Sequence, residues 1–458
     1  MEHIKQLGED KISKLLIRFS IPAIVGMLVN GMYNVVDRIF IGRGVGSEGI
    51  AGITIGFPLM LLIMAFGMLV GIGATAQISI RLGEQKKNEA ELILGNCFSL
   101  LIILSLGLTL FGLVFLDPLL RFFGASPAIF PYAHDYMKVI LAGAVFQGIG
   151  FGMNNIIRAD GHPGTAMLTM IAGAILNALL CPVFIFWLKM GMRGAAFATV
   201  ISQVFTAVWV LAYFLGKHSH LKIRWPNLKL KLPVIGSIIA IGFAPFAMQV
   251  AASILNIILN NSLKVYGGDL AVSAMGIVYS ILMLILMPLF GINQGAQPII
   301  GYNYGAQKFD RVKKTLKLAI LAATAIVVFG FIMTRMIPEQ LIRLFNDEDE
   351  RLVELGTQTL QVFLLMLPIV GFQIVSSNYF QAVGKPIQAM ILSLSRQVIL
   401  LIPALLILPG FFGFNGVLAA GPVSDFGSSL LTGLWLFYEL KHLERKHYQS
   451  QLEPECES

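Results

Sequence analysis

Charge is scarce in this chain of 458 residues: 13% are Asp, Glu, Lys or Arg, against 56% that are apolar. A domain with an aqueous surface carries about a quarter charged residues, so an ordinary water-soluble enzyme is excluded. Strict apolar/polar alternation is also missing, and apolar stretches run for about 20 residues or more, which excludes a membrane β-barrel. Cysteine is rare and odd in number, with Cys97, Cys181 and Cys456 at unrelated spacings and no CxxC, so neither a disulfide nor a zinc framework is expected. Walker loops, nucleophile–base groupings and metal-ligand spacings are absent, and Gly71-Ile-Gly-Ala-Thr-Ala follows no strand that would make it a nucleotide fingerprint. No cofactor is expected. If work is done, an ion gradient drives it. The polar start, Met1 to Lys14, precedes an apolar segment without a small-residue cleavage site, and this segment reads as an uncleaved first span.

What is present is apolar length. Segments near 17–42, 50–80, 92–116, 137–157, 165–188, 194–216, 234–263, 270–300, 318–337, 356–380, 389–408 and 416–438 make twelve candidate spans of an all-α polytopic membrane protein. An even count puts both termini on one side. Of 33 Lys and Arg, 22 fall in the tails and in the loops on that side, including Arg158, Lys385 and five in Lys217–Pro233; 10 lie opposite, and Arg396 stands within a span. The positive-inside rule then places both termini in the cytoplasm and assigns the net charge of +8 to topology, not to a nucleic-acid surface.

The longest polar connection, Lys217–Pro233, divides two similar halves. Phe19-Ser-Ile-Pro22 is echoed by Phe243-Ala-Pro245, and 15 residues beyond these prolines stand Asp37 and Asn260. Gly71-Ile-Gly-Ala-Thr-Ala-Gln77 is echoed by Gly291-Ile-Asn-Gln-Gly-Ala-Gln297. Arg158-Ala-Asp-Gly-His-Pro-Gly-Thr-Ala-Met167 matches Gln381-Ala-Val-Gly-Lys-Pro-Ile-Gln-Ala-Met390 at five of ten positions, and Gly191, Gly194, Ala198 and Ser202 match Gly413, Gly416, Ala420 and Ser424. The expected organisation is a six-helix lobe over 1–216, a basic linker over 217–233, a second six-helix lobe over 234–440 and a tail over 441–458. Six helices per repeat give both copies one orientation, hence a pseudo-twofold along the membrane normal and two lobes that can rock about a central site. Neither a selectivity-filter loop nor rings of charge suggest a channel.

Ionisable and amide groups inside spans mark the chemistry, because hydrocarbon penalises them. Asn30, Tyr33, Asn34 and Asp37 share one face of the first helix. They suit a cation or proton site, the bland alternative being a surface carboxylate beside Arg38 or Arg43. Asn177 and Thr199 offer hard oxygens for Na⁺ or a protonated carboxyl, although helix–helix hydrogen bonding is the commoner use of such residues. In the second half Asn256, Asn260 and Gln294 are candidates for a substrate cleft. Asp425 is either a further titrating or cleft residue or the partner of Arg396. The 20 methionines and 32 phenylalanines would give adaptable walls for flat cations, though most must simply pack. His218 and His220 flank Ser219 in the basic linker as a solvated pair.

Met32-Tyr-Asn-Val-Val-Asp37, Gly295-Ala-Gln-Pro-Ile-Ile-Gly-Tyr-Asn-Tyr-Gly-Ala306, the paired loops at 158 and 381, and Asn177 with Gly194-Ala-Ala-Phe-Ala-Thr199 together resemble the multidrug and toxic compound extrusion (MATE) transporters over nearly the whole chain, most nearly the MepA-like bacterial exporters. The resemblance implies export of small amphiphilic cations by H⁺ or Na⁺ antiport through alternating access, in a monomer embedded in lipid. It also implies that Asp37, Asn177 and Thr199 form one coupling site, the only place where a metal ion, Na⁺, is expected. Many relatives carry an aspartate where this chain has Cys181, a neutral thiol that binds Na⁺ poorly, and this favours H⁺. A flippase for lipid-linked or polysaccharide precursors is the alternative of related fold. A receptor or scaffold would not require Asp37 and its neighbours.

Overall fold

The computed structural model describes residues 2–217, 219–345 and 349–452; the side chain of Asn34 lies outside the described set, as do His218 and Cys456. Ile12–Gly44 (α1), Ser47–Gly83 (α2), Lys87–Val114 (α3), Phe130–Ala159 (α4), Pro163–Pro182 (α5, prolonged by a π-helical turn Val183–Trp187) and Gly191–Leu215 (α6) form the first half. Leu232–Gly305 is a continuous pair, 232–267 (α7) and 269–305 (α8), broken at Gly268 with φ of 72°. Phe309–Met336 (α9) follows, then α10 in two pieces, Glu350–Phe363 and Leu367–Ala382, bent by 51°. The chain from Pro386 passes through a π-helical turn Ser395–Leu401 and breaks at Gly413, giving 386–412 (α11) and 414–452 (α12). Among the described residues nine helices are long and apolar enough to cross a membrane. The bent α10 makes a tenth, and the two broken ones hold two spans each, so the protein has twelve. Of the prolines that can bend helices, Pro22, Pro58, Pro245 and Pro288 lie inside helices, whereas Pro368 sits in the first turn after the α10 bend, where a missing N–H costs nothing.

The duplication is written in the backbone. Gly46 and Gly268, Gly161 and Gly384, and Gly191 and Gly413 all take positive φ, and so do Gln85 and Gln307, at 60° and 57°. The members of each pair stand 222 or 223 positions apart. A side chain at positive φ costs roughly 1–2 kcal/mol, which is why glycine holds three of these four turns. Contacts between the halves are reciprocal as a twofold demands, with α1 packed on α8 and α2 on α7. Gly73 lies against the Ile238 carbonyl, Gly242 against Leu69, Gly291 against Ile24 and Gly295 against Ser20, all without room for a Cβ. Toward the termini the contact continues as α2 on α8, where Gly83 meets Tyr302 and Gly305 meets Ile80. The halves therefore close on each other over the half of the bundle that carries the chain ends. There the N-terminal helix Glu2–Glu9 is tied down as well, its Leu7 carbonyl accepting from Asn303 and Arg311.

The linker is anchored: of the two histidines expected to be solvated, His218 lies outside the described residues and His220 is half-buried, while Ser219 between them is buried. Asp160, buried in the turn after α4, accepts from Tyr213 Oη at 2.6 Å, Ser219 Oγ at 2.8 Å and the backbone N–H of His220 and Leu221 at 3.0 and 3.2 Å. Burial holds its carboxyl above the ordinary aspartate range despite these donors, and burial together with Lys87 pushes the His220 ring down to about 4. Asn96 and Ser99 of α3 hold the turn Trp225–Leu228, and Arg224 pairs with Glu91 at 2.8 Å. The second half has its own tie at the matching loop, where Lys385 meets Glu439 at 2.5 Å and Tyr379 donates to the same carboxylate.

Candidate functional site

A cavity of about 460 Å³ opens inside the first half. Its walls come from α1, α2, α4, α5 and α6, with Met287 and Gln294 of α8 closing one side. Apolar facing is supplied by Met27, Phe57, Met60, Met64, Phe146 and Met170, and polar groups by Asn30, Tyr33, Gln147, Asn154, Thr199, Ser202 and Gln203. Of the four polar residues on the predicted face of α1, Asn30 and Tyr33 line the cavity. Tyr33 and Asn30 reach the cavity directly, while Asp37, one turn beyond Tyr33, is buried behind the lining with 6% of its surface exposed.

Asp37 forms no ion pair among the described residues, although Arg38 and Arg43 are close in sequence. Its Oδ1 accepts from the Cys181 thiol at 3.3 Å. Thr199 is a second node: its hydroxyl receives Asn177 Nδ2 at 3.2 Å and Tyr33 Oη at 3.4 Å, and donates to the Ala195 carbonyl at 3.1 Å. A hydroxyl has one hydrogen and two acceptor lone pairs, so Thr199 has none left for a metal ion. Asn177 Oδ1, by contrast, is buried with no partner among the described residues. Tyr136, fully buried on α4, stands beside Asp37 and Thr199 and was invisible in the sequence, where it is one aromatic among many. The fold thus gathers Asp37, Cys181, Asn177, Thr199 and Tyr33 from three helices. Their unspent capacity is the Asp37 carboxylate and a single amide oxygen.

The other candidates separate. Gln294 reaches the cavity, with Oε1 unpartnered, but Asn256 and Asn260 are exposed on α7 and do not line it. Asp425 is held by Arg396 at 2.9 Å, the pairing that was one of its two expected fates. Arg158, counted above among loop charges, is a correction. It belongs to the last turn of α4, is 2% exposed and faces the cavity. Gln147 and Gln203, amides within apolar segments, were also passed over, and both bury an unpartnered Oε1 at the cavity wall.

The MatE family profile matches the chain twice, over residues 22–183 and 245–406. The chain belongs to the MATE family. It is a multi-pass membrane transporter, not an enzyme. The similarity extends end to end: the multidrug export protein MepA of Staphylococcus haemolyticus (strain JCSC1435) is 26% identical over 441 residues, covering 96% of both chains. The solved structure of the MATE multidrug transporter DinF-BH in complex with rhodamine 6G is 42% identical, with a TM-score of 0.87 over 94% of this chain and 96% of that one. A MATE structure in the bent conformation aligns at a TM-score of 0.92 and 26% identity, over 98% and 99%.

The two MATE repeats differ where the cavity lies. With the offsets of the matched turns, Arg396 falls at the place of Gly173 or Ala174 and Asp425 at that of Gln203, three residues that line the cavity in the first repeat. In the second repeat the Arg396–Asp425 ion pair stands at these positions.

Proposed function

We propose that this transporter exports amphiphilic cations, taking them into the cavity of the first repeat and exchanging them for a proton at Asp37 by alternating access. The observation that carries the reading is a carboxylate buried in the membrane-spanning bundle, unpaired with any base among the described residues, one helical turn from the Tyr33 and Thr199 groups that face the cavity. Two states of such a group differ in charge, and a site inside a low-dielectric bundle feels that difference strongly. H⁺ suits the donor set better than Na⁺, because the Thr199 oxygen is saturated and Cys181 contributes a thiol instead of a second carboxylate. Termini in the cytoplasm follow from the charge bias, and the closed half of the bundle is then the cytoplasmic half, so that the lobes stand in an outward-facing arrangement. The relative solved with rhodamine 6G supports a flat dye cation as a fitting occupant.

The test is rhodamine efflux from vesicles under separately imposed H⁺ and Na⁺ gradients. A pH gradient alone should drive efflux by the native protein. Asp37→Asn, nearly isosteric, should keep dye binding and lose gradient-driven efflux to below about a tenth of the native rate. Native efflux in the variant, or a strict Na⁺ requirement with indifference to pH, overturns the assignment.

A further inference from the structure

The linker between the repeats is fastened to the outer flank of α3 at a defined depth. Asn96 Nδ2 donates to the carbonyls of Asn227 and Lys229 at 3.1 and 3.3 Å, Asn96 Oδ1 accepts from the backbone N–H of Lys231 at 2.7 Å, and Ser99 Oγ donates to the Leu228 carbonyl at 2.8 Å. Beyond Glu91 no charged residue follows to the end of α3. The stretch from Cys97 to Val114 makes about 27 Å of helix and so nearly fills a hydrocarbon core of about 30 Å. Asn96 and Ser99 therefore stand where α3 enters the apolar layer. They head a stripe, at spacings of three and four, whose next members Ile103, Leu106 and Leu110 are exposed on the outside of the bundle, where lipid lies.

What the linker presents outward at this level is apolar and basic together. Trp225 is 86% and Leu232 83% exposed, with Leu230 exposed between them. Lys229 and Lys231 are exposed as well, and neither has an ion pair among the described residues, whereas Arg224 is paired with Glu91. Both lysines have extended backbone, and their spacing of two puts the side chains on one side of the segment. Water suits the ammonium groups and not the indole, and hydrocarbon the reverse. The headgroup layer suits both, with an indole ring at its level and lysines reaching from apolar ground to phosphates. A charge that only directs insertion needs no fixed place after folding. Here α3 side chains hold the segment that carries it.

We propose that Trp225, Lys229 and Lys231 form a binding site for an anionic phospholipid, the two ammonium groups receiving its phosphate and the Ile103–Leu110 stripe its acyl chains. The site needs neither the substrate reading nor a choice of membrane side.

The test places the purified full-length protein in phosphatidylcholine nanodiscs at 0.15 M salt, with increasing fractions of phosphatidylglycerol or of phosphatidylcholine bearing the same dibrominated acyl chain. Trp225 emission is the difference between the native protein and Trp225→Phe, which retains Trp187, Trp209 and Trp435. Both lipids should quench it, and half-quenching should need an at least about fivefold lower fraction of the phosphatidylglycerol, the preference conferred by one lysine near an anionic surface. Lys229→Gln with Lys231→Gln should bring the two lipids within about twofold of each other and leave quenching by phosphatidylcholine unchanged. Lys314→Gln with Lys317→Gln, on the exposed face of α9, should keep the native preference. In 1 M salt, where screening acts beyond about 3 Å, the native preference should also fade. Equal quenching of the native protein by both lipids overturns the proposal, and so does a preference that salt or the Lys229 and Lys231 changes leave intact. Equal loss with the Lys314 and Lys317 changes makes it a field of the whole basic face and overturns the site. A Trp225 that neither lipid quenches faces water or another protein, and the site is then refuted outright.

Discussion

The Cys181 thiol is the only described donor to Asp37, and its presence decides how many charges the site can hold. Substituting Cys181→Asp sets a second carboxylate about where the thiol now lies, and two adjoining carboxylates ionise together only when a cation is shared between them. Na⁺ then gains a charged ligand in addition to Asp37 and the free Asn177 oxygen. The Na⁺ concentration for half-maximal rhodamine efflux at constant pH should fall at least about tenfold, the equivalent of one charge-assisted contact. An unchanged Na⁺ response would show that the thiol position does not belong to the coupling site. Asp37, Tyr33, Asn177 and Thr199 could be picked out in the sequence because polar residues are conspicuous inside apolar spans. Arg158 could not, since a basic residue two positions before a turn reads as a topology signal, and only packing of α4 against α5 reveals that its head is inside.

At the level of helices, the π-helical turn Ser395–Leu401 carries Arg396, with Ser424 of α12 donating to its carbonyl at 2.6 Å while Asp425 takes its side chain. Breaking such a pair from one side strands a charge. The pair is half-buried, so Arg396→Met should lower stability by about 1–2 kcal/mol, between an exposed and a fully buried ion pair, and depress the thermal midpoint; Arg396→Met with Asp425→Leu should recover most of the loss, because two apolar groups leave nothing unpaired. A double variant as unstable as the single one would mean that the pair is not coupled. The twelve spans were readable from hydropathy, and their order from the matched loops. The junctions at Gly268 and Gly413 were expected as separate loops, yet the chain stays helical on both sides of one glycine at positive φ, so the hairpins are tighter than polarity suggests.

On the scale of the molecule, the two repeats meet on their termini-bearing halves, and the orientation of that face determines which state this is. Cys97 and Cys181 are fully buried, so Cys456 in the tail is the native thiol for accessibility labelling. An impermeant maleimide applied to intact cells should leave Cys456 unmodified and react with a cysteine introduced by Ser126→Cys in the loop before α4, on the opposite face; labelling of Cys456 from outside would invert the topology. Hydropathy, charge bias and repeated motifs are properties of short windows, so the sequence by itself determined the twelve-helix class, the duplication and the polar face of α1. The meeting of Asp37 with Cys181 spans 144 positions, and that of Tyr33 with Thr199 spans 166. Which side chains line the chamber and which arginine finds a counter-ion depend on such distant side chains competing for the same space. Only the packed helices decide that, because burial is a property of neighbours in space and not of neighbours in the chain.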